Sequence, residues 1–492
     1  MTSIMAILSA TMFASVTASS APPGVSAEWQ AQVRQLVWVC YTPTGVNPDL
    51  LQQPTAESIR ADLDTLRKAG FTGLITYGSA GVQGRETVSQ AAAAGFRGVI
   101  VGVWDFRLAE EIANAKTAAR HPLVLGLCVG NEGIGRRYTL AELRTALNEM
   151  RSATGKPVTT TEEIDDYLDD EILQLGDWVF PNAHPFFHGR HEPASALRWT
   201  RGAYDDLARS GRFIWFKEVG LPTAGDPAGQ LSAEHQAEYY TQLARTPVFF
   251  AYFEGFDQPW KTWRPFEPHW GLFDADRQPK LLARQPFPPA APDTAPAADS
   301  PTSRAPTSTR SAPFHIYRDC ADAENHYSPS GLDGDCGDVQ IDEQWTTNPH
   351  TGRTCIRIVY ENKGRGPHTC NYGPPCRWAS LRWLHPDQNW GREARYADGG
   401  YNLTGYRRLV FWARADSPCR VKFTVGGIDG PYGDSLAYPR SKLCRLDETW
   451  RAYELDLRGA DLRHIIGGFG WDANWDLNPH GAVVYLDDIR FE

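Results

Sequence analysis

Three acidic residues stand at or near the ends of apolar, strand-like runs. Glu132 ends VLGLCVGNE, Glu218 follows FIWFK, and Glu254 lies in VFFAYFEGF. A charge at the end of a buried strand costs free energy unless a partner or a task keeps it there. Two carboxyl groups that face one cavity can cleave a glycosidic bond, one as the acid and the other as nucleophile or base. These acids are therefore candidates for the chemistry of sugar cleavage.

Eight apolar runs in the first half of the chain must position these acids. Stretches with a helical pattern separate the runs, and about 250 residues of such alternation fit an α/β fold of the (β/α)8 TIM-barrel type, whose functional residues follow the strands. A doubly wound open sheet is the competing fold, but no Gly-rich phosphate loop follows the first run. The predicted strands are residues 37–42, 73–78, 98–104, 124–132, 157–163, 177–185, 213–220 and 248–256.

Two of the intervening helices carry clear end signals. The helix in residues 55–70 has one apolar face, and Gly70 fits its C-terminal cap. In the helix that follows Glu132, Thr139 and Glu142 have the spacing of a capping box, and Gly155 ends the pattern.

Composition divides the chain into four parts. Residues 286–313 are Pro, Ala, Ser and Thr with few large apolar side chains, which predicts an extended linker. We expect a signal peptide at 1–21, the barrel at 22–285, and an all-β jelly-roll sandwich at 314–492, where short strand-like runs alternate with turn residues. Because the linker has little to dock, the two halves are expected to fold and melt separately.

The N-terminus predicts export to the cell envelope, the periplasm or the medium. An apolar run ends in small residues, with cleavage expected near Ala18 or Ala21, although no Lys or Arg precedes the run. No later run is long and apolar enough to span a bilayer.

The cysteines agree with export, because seven of the nine lie after residue 313. Cys40 and Cys128 lie in apolar runs and are expected to be buried thiols, and Cys355 is left over. The plausible disulfides are Cys370 with Cys376, Cys320 with Cys336, and Cys419 with Cys444.

The overall charge limits the partners. A formal net charge of −10 argues against nucleic acid or an anionic membrane surface. The 17 Trp residues suit sugar recognition, since their ring faces can stack on pyranosides, although many must be core residues. We expect a monomer that binds a polysaccharide or oligosaccharide.

Four motifs together resemble glycoside hydrolase family 17, the β-1,3-glucanases and related glucanosyltransferases, over roughly residues 30–284. VGNE resembles the acid/base motif and assigns that role to Glu132, and KEVGLPT resembles E-[VT]-G-W-P-[ST] and makes Glu218 the nucleophile, with Leu221 where Trp is usual. YFEGFDQPWK resembles FEAFDEPWK, placing Glu254 and Lys261 at the rim, and HWGLFDADRQPK resembles the closing segment. The resemblance implies a retaining mechanism, which needs carboxyl groups roughly 5 Å apart.

The same resemblance supplies candidates for substrate binding. The second-strand motif R-x-Y is matched only by its Tyr, because Ile75 stands at the Arg position. For each candidate, packing or a structural turn is the alternative. The resemblance implies contacts to sugar from Tyr41, Tyr77, Asn131 and His184, and the aromatic candidates for stacking are Trp104, Phe187, Trp260 and Trp263.

The C-terminal part resembles the galactose-binding-like jelly rolls of secreted carbohydrate enzymes, in NHYSPSGLDGDCGDV, LTGYRRLVFWARA and the final strand. It is either a glucan-binding module or a spacer. Candidate surface aromatics are Trp378, Trp383 and Trp390. Asp333, Asp335 and Asp338 with Asp487 could hold a structural Ca²⁺, or could serve ordinary turns.

The sequence thus predicts a secreted, retaining hydrolase of β-1,3-glucan that needs no cofactor. A glucanosyltransferase, in which a sugar hydroxyl replaces water, is the alternative within enzymes. A non-catalytic glucan-binding protein is the alternative of another class, but it would have no reason to keep both Glu132 and Glu218.

Overall fold

The structure is a computed structural model that describes residues 24–226, 229–284, 287, 312–366 and 375–492. In the first domain, strands and helices alternate along the chain. The strands are β1 Trp38–Tyr41, β2 Gly73–Thr76, β3 Gly98–Val103, β4 Val124–Val129, β5 Val158–Thr159, β6 Phe216–Val219 and β7 Phe250–Tyr252. The helices are α1 Ala27–Arg34, α2 Ala56–Ala69, α3 Gly81–Ala94, α4 Ala109–Ala118, α5 Leu140–Thr154, α6 Asp170–Leu173, α7 Pro193–Ala208 and α8 Ala233–Leu243.

The seven strands form one parallel sheet in the order β5-β4-β3-β2-β1-β7-β6. The first strand pairs with the last as well as with the second, Trp38 lying opposite both Gly73 and Ala251. An open doubly wound sheet does not join its last strand to its first in this way. The domain is therefore barrel-like, and its strands are buried along almost their whole length because helices cover the outer face.

The sixth predicted strand, residues 177–185, forms no regular strand, which corrects that element. It makes only isolated bridges, from Asn182 to Glu163 and Glu218, and from Val179 to Ile214. Pro181 has no N–H and so cannot donate to a regular ladder. This stretch nevertheless lies between the chain after β5 and the start of β6.

The predicted helix ends are confirmed. Thr55 caps α2 by accepting a hydrogen bond from the Ser58 N–H, and Gly70 follows the helix with a φ of +113°. Thr139 and Glu142 form the complete capping box at the start of α5. These local signals depend on residues three or four apart, which is why sequence alone finds them.

The second domain consists of two antiparallel sheets, as its all-β pattern predicts. One sheet has the order β10-β11-β18-β13-β16, with β8 paired to β18, and the other has the order β15-β14-β17-β12-β9. Apolar side chains from both sheets share one core. The strands are β8 Phe314–Tyr317, β9 Ser328–Gly334, β10 Val339–Trp345, β11 Cys355–Tyr360, β12 Trp378–Leu384, β13 Arg408–Ala415, β14 Cys419–Val425, β15 Arg440–Leu446, β16 Arg451–Asp456, β17 Gly467–Asn474 and β18 Ala482–Phe491.

The two domains are in contact, which the linker composition does not predict. Tyr438 of the sandwich is buried in the apolar core of the first domain. Around it, Lys422 Nζ lies 2.6 Å from Asp165 Oδ2, and Arg190 Nη1 lies 2.9 Å from Asp429 Oδ2. Further ion pairs join Arg440 to Asp206, Arg209 to Asp456, Arg420 to Asp169, Arg445 to Glu171 and Arg136 to Asp476.

Two predicted disulfides are absent, because Cys320, Cys336, Cys419 and Cys444 are free. Cys419 and Cys444 lie on paired strands, but Cys419 is opposite Leu446, so the two thiols are diagonal neighbours. Diagonal residues are too far apart for a disulfide without backbone movement. Cys376 is disulfide-bonded, and its predicted partner Cys370 lies outside the described residues. Cys40 and Cys128 are buried thiols, as expected.

Two expectations for the sandwich also need correction. Trp383 is fully buried and packs on Phe469, so it offers no surface to a glucan. The carboxylates proposed for Ca²⁺ instead accept backbone hydrogen bonds: Asp335 from Cys376 N, and Asp487 from His350 N. Within the described ranges, no group of three acidic, His or Cys side chains could hold a metal ion.

The predicted signal peptide and nearly all of the predicted linker lie outside the described residues. Within residues 286–313 the structure describes Phe287, Ala312 and Pro313, and Phe287 packs on Phe71 and Tyr252 of the first domain. Among the helices that the structure describes, none has both the length and the apolar character to cross a membrane.

Candidate active site

Glu132 and Glu218 meet at the C-terminal edge of the parallel sheet. Glu218 lies within β6, and Glu132 follows β4. One buried cation joins the two strands: Lys217 Nζ donates to Glu218 Oε1 and to Asn131 Oδ1, each over 2.6 Å. One ammonium group therefore holds Glu218 itself and Asn131, the residue beside Glu132.

The surroundings of Glu218 stabilise its ionised form. Burial alone would raise the pKa of this carboxyl, but the charge and hydrogen bond of Lys217 together with those of His184 outweigh burial and hold the pKa well below its usual range. His184 adds to the effect, with Nε2 at 3.2 Å from Glu218 Oε2. Glu218 is 5% exposed, so it is a nearly enclosed carboxylate with two fixed partners.

Glu132 has the opposite electrostatic surroundings. Burial is the largest cause, and together with the charges of Glu218 and Glu163 it raises the pKa of Glu132 to about 8, which favours the neutral acid. Asn182 Nδ2 donates to Glu132 Oε1 over 2.7 Å and fixes one carboxyl oxygen. The backbone of Glu132 has a φ of +49°, which is uncommon for a residue other than glycine. Such backbone strain is concentrated at functional sites.

The two carboxyl groups are thus prepared for different tasks. Near neutral pH, Glu218 is ionised and Glu132 carries a proton. A pair of carboxyl groups whose pKa values are separated by their surroundings can act as acid and base, or as acid and nucleophile, in one reaction. The site needs no metal to make this separation.

Glu254 lies near this pair, on the chain that follows β7. It is 1% exposed, and its Oε1 accepts a hydrogen bond of 2.6 Å from Lys261 Nζ. Burial raises the pKa of Glu254 to about 7 against the opposing charge of Lys261. Its Oε2 is buried and has no hydrogen-bond partner among the described residues.

The structure places the two tyrosine candidates differently. The Tyr77 ring lies under the Lys217 ammonium, 4.2 Å from ring centroid to Nζ, so Tyr77 belongs to the site. Tyr41 is fully buried, and its hydroxyl donates to Asp62 over 2.9 Å. Arg277 closes that network on Asp62, so Tyr41 supports the wall behind the site.

Aromatic side chains around the opening vary in exposure. Trp263 is 55% exposed and Trp104 is 43% exposed, which leaves ring surface for a sugar. Trp260 packs edge-on against Trp263, with 5.5 Å between ring centroids. Phe187 instead packs on His184.

Sequence reasoning missed three residues of the site: Asn182, Lys217 and Glu162. Asn182 lies two positions before His184, so both can face the site from one extended segment. Lys217 is next to Glu218 in sequence, but its contact with Asn131 depends on the fold. Glu162 accepts hydrogen bonds from the Tyr138 hydroxyl and the Gly133 N–H, and so holds the loop after Glu132. The end of the fifth predicted strand, TTEE, was the available signal.

A known protein family matches the part of the chain that contains the candidate active site. Residues 39–271 match the BtgE/BtgC glycoside hydrolase domain. The match covers 233 of the 492 residues and lies within the first domain. All the catalytic and substrate-binding candidates of the barrel lie within the match, whereas the sandwich lies outside it.

Two curated relatives match the glycoside hydrolase domain. "Glucan 1,3-beta-glucosidase" of Arthroderma benhamiae is 26% identical over 256 residues, covering 45% of this chain and 82% of the relative. "Probable glucan endo-1,3-beta-glucosidase btgC" of Aspergillus terreus is 25% identical over 197 residues, covering 32% of this chain and 30% of the relative. The chain therefore spans most of the first relative and less than a third of the second.

Solved structures are also similar to this domain. The glycoside hydrolase family 17 beta-1,3-glucanosyltransferase of Rhizomucor miehei superposes with a TM-score of 0.43 and 23% identity, over 51% of this chain and 97% of the other. An endo-laminarinase from Formosa superposes with a TM-score of 0.44 and 17% identity, over 52% and 88%.

Proposed function

We propose that this protein hydrolyses β-1,3-glucan with retention of anomeric configuration, with Glu132 as acid/base and Glu218 as nucleophile. The opposite pKa shifts of these two carboxyl groups carry the proposal. The names of the curated relatives support the choice of β-1,3-glucan. The substrate-binding roles of Asn131, His184, Glu254 and Lys261 are part of the proposal.

The reaction would proceed in two displacements. In the first, the Glu218 carboxylate attacks the anomeric carbon, and Glu132 gives its proton to the departing glycosidic oxygen. In the second, the Glu132 carboxylate takes a proton from water, the water oxygen attacks the anomeric carbon, and the bond to Glu218 breaks. The first step changes both carboxyl groups, and the second returns both to their starting forms.

The test is the cleavage of laminari-oligosaccharides by wild type and by matched variants. Glu218→Gln should lower kcat by at least about 10⁴-fold, because the nucleophile is lost. Glu132→Gln should lower it by about 10²–10⁴-fold. Glu149→Gln, an exposed carboxyl change on α5, is the control and should leave kcat unchanged.

The assignment of the two roles has a separate test. Azide should partly restore activity to Glu132→Ala by attacking the glycosyl intermediate, and the product should be the β-azide. Recovery of the α-azide from that variant would reverse the two roles, and an inactive wild type would refute the function itself.

Transfer to a sugar is the second candidate, and the exposed rings of Trp104 and Trp263 favour it as places for an acceptor. Products longer than the substrate would identify a glucanosyltransferase. Products no longer than the substrate at high substrate concentration would identify a hydrolase.

We also propose that the protein is exported and that its first domain is a complete (β/α)8 barrel. The apolar N-terminal run and the disulfide-bonded Cys376 support export. The backbone hydrogen bonds of Asn182 N to Glu162 O and of Trp215 N to Val179 O support an eighth strand position at 177–183. Detection of the mature N-terminus in culture medium would test export.

A further inference from the structure

Lys217 is an almost fully buried cation of the site, and the two-step reaction gives it no task. It is 1% exposed, and its ammonium group donates hydrogen bonds to Asn131 and Glu218. A buried ammonium is costly unless its hydrogen bonds and charge partners compensate. Burial would lower the pKa of Lys217, but the charge of Glu218 raises it, so the group stays protonated.

The position of the ammonium allows it to act on two residues at once. An ammonium group only donates hydrogen bonds, so the Asn131 atom that it contacts must be the amide oxygen. The NH₂ of Asn131 is thereby turned away from Lys217 and is free to donate elsewhere. The same ammonium holds Glu218 Oε1, leaving Oε2 beside His184.

Among the described residues, no Lys or Arg other than Lys217 makes a hydrogen bond to Glu218. On the second strand, position 75 carries the fully buried Ile75, so β2 supplies no charge there. Lys261 is paired with Glu254. The ammonium of Lys217 lies over the Tyr77 ring, which adds a cation–π contact.

We propose that Lys217 is a positioning residue that keeps the nucleophile ionised and sets the direction of the Asn131 amide. The inference deepens the proposed function and rests on it for the role of Glu218. Other titratable or charged groups face Lys217 and Glu218 from the neighbouring strands and loops. The experiment must separate their effects on the Glu218 pKa from the effect of Lys217. These groups are Cys40, Tyr77, Cys128, Glu132, His184, Glu254 and Lys261.

The first experiment needs no substrate. Protein labelled with ¹³C at the Glu carboxyl carbons is titrated by NMR, and the Glu218 signal is assigned from its loss in Glu218→Gln. Lys217→Met should raise the Glu218 pKa by about one to three pH units, because an adjacent opposite charge is lost. Lys217→Arg should keep the pKa low, since it keeps the charge.

A matched control removes another largely buried ammonium of the same domain. Lys280 Nζ pairs with Asp257 Oδ1 over 2.6 Å and makes no hydrogen bond to Glu218. Lys280→Met should leave the Glu218 titration in place. If Lys217→Met does not fold, Lys217→Gln gives the same comparison with a polar side chain. A folded Lys217→Met or Lys217→Gln protein with the wild-type Glu218 titration would overturn the proposal.

The second experiment tests the action through Asn131. If Lys217 sets the Asn131 amide, the losses in kcat/KM from Lys217→Met and Asn131→Ala should be less than multiplicative in the double variant. Fully multiplicative losses would overturn this part. Wild type that cleaves no β-1,3-glucan would refute the proposed function, while the NMR titration would still decide the charge relationship.

Discussion

The ring of Tyr438, in the sandwich, packs edge-on against the ring of Trp199, in α7, with 5.5 Å between their centroids. This contact places a side chain of the second domain in the core of the first. The surrounding Lys, Arg and Asp residues pair across the same boundary. The sandwich is thus part of the surface that stabilises the hydrolase domain, whether or not it also binds glucan.

We therefore expect the two domains to unfold in one transition. Tyr438→Ala should lower the free energy of unfolding by about 3 kcal/mol, because it leaves a cavity against Trp199. The control is Tyr396→Ala, which truncates a half-buried tyrosine elsewhere on the sandwich. Scanning calorimetry checks this, and two well-separated transitions in wild type would contradict it.

The pH dependence of kcat/KM should be bell-shaped, with its maximum on the acidic side of neutrality. Activity needs Glu132 protonated, so it should fall as pH rises through the pKa of about 8. It also needs Glu218 ionised, so it should fall as pH drops through the lowered pKa of that group. Measurement of kcat/KM as a function of pH tests this prediction. Activity still rising at about pH 9 would be incompatible with the roles of Glu132 and Glu218.

Removing Asn182 should shift the basic limb of that profile. Its NH₂ donates to Glu132 Oε1 and favours the ionised carboxylate, so Asn182→Ala should raise the Glu132 pKa by about one unit. Activity should then persist to higher pH while kcat falls because the acid is less well positioned. Asn148→Ala on α5, an exposed position, is the comparison. An unmoved basic limb in a folded Asn182→Ala protein would count against the contact.

Trp263→Ala should weaken the binding of long substrates more than it slows the chemical step. The ring is 55% exposed beside Trp260, and one lost stacking contact of about 1 kcal/mol corresponds to about a fivefold rise in KM. Kinetics on short and long laminari-oligosaccharides measure this, with Leu51→Ala as a control for loss of exposed apolar surface. Equal KM values for wild type and Trp263→Ala on every chain length would exclude this ring from the binding surface.

The sequence by itself determined the features that depend on near neighbours along the chain. The caps of α2 and α5 follow from residues three or four apart, and the buried strands follow from continuous apolar runs. The family resemblance, carried by short motifs around Glu132, Glu218 and Glu254, agrees with the matched hydrolase domain. Each of these signals lies within a few residues and survives without knowledge of the fold.

Only the tertiary structure decided which distant groups meet. Lys217 is next to Glu218 in sequence, but its contact with Asn131 joins residues 86 positions apart. Cys419 and Cys444 lie on paired strands, yet their register makes them diagonal rather than opposite. The sandwich docks on the first domain through Tyr438 and a set of ion pairs that no local pattern encodes. Strand register, burial and domain docking depend on packing between segments that are distant in sequence. Local sequence patterns carry little information about that packing.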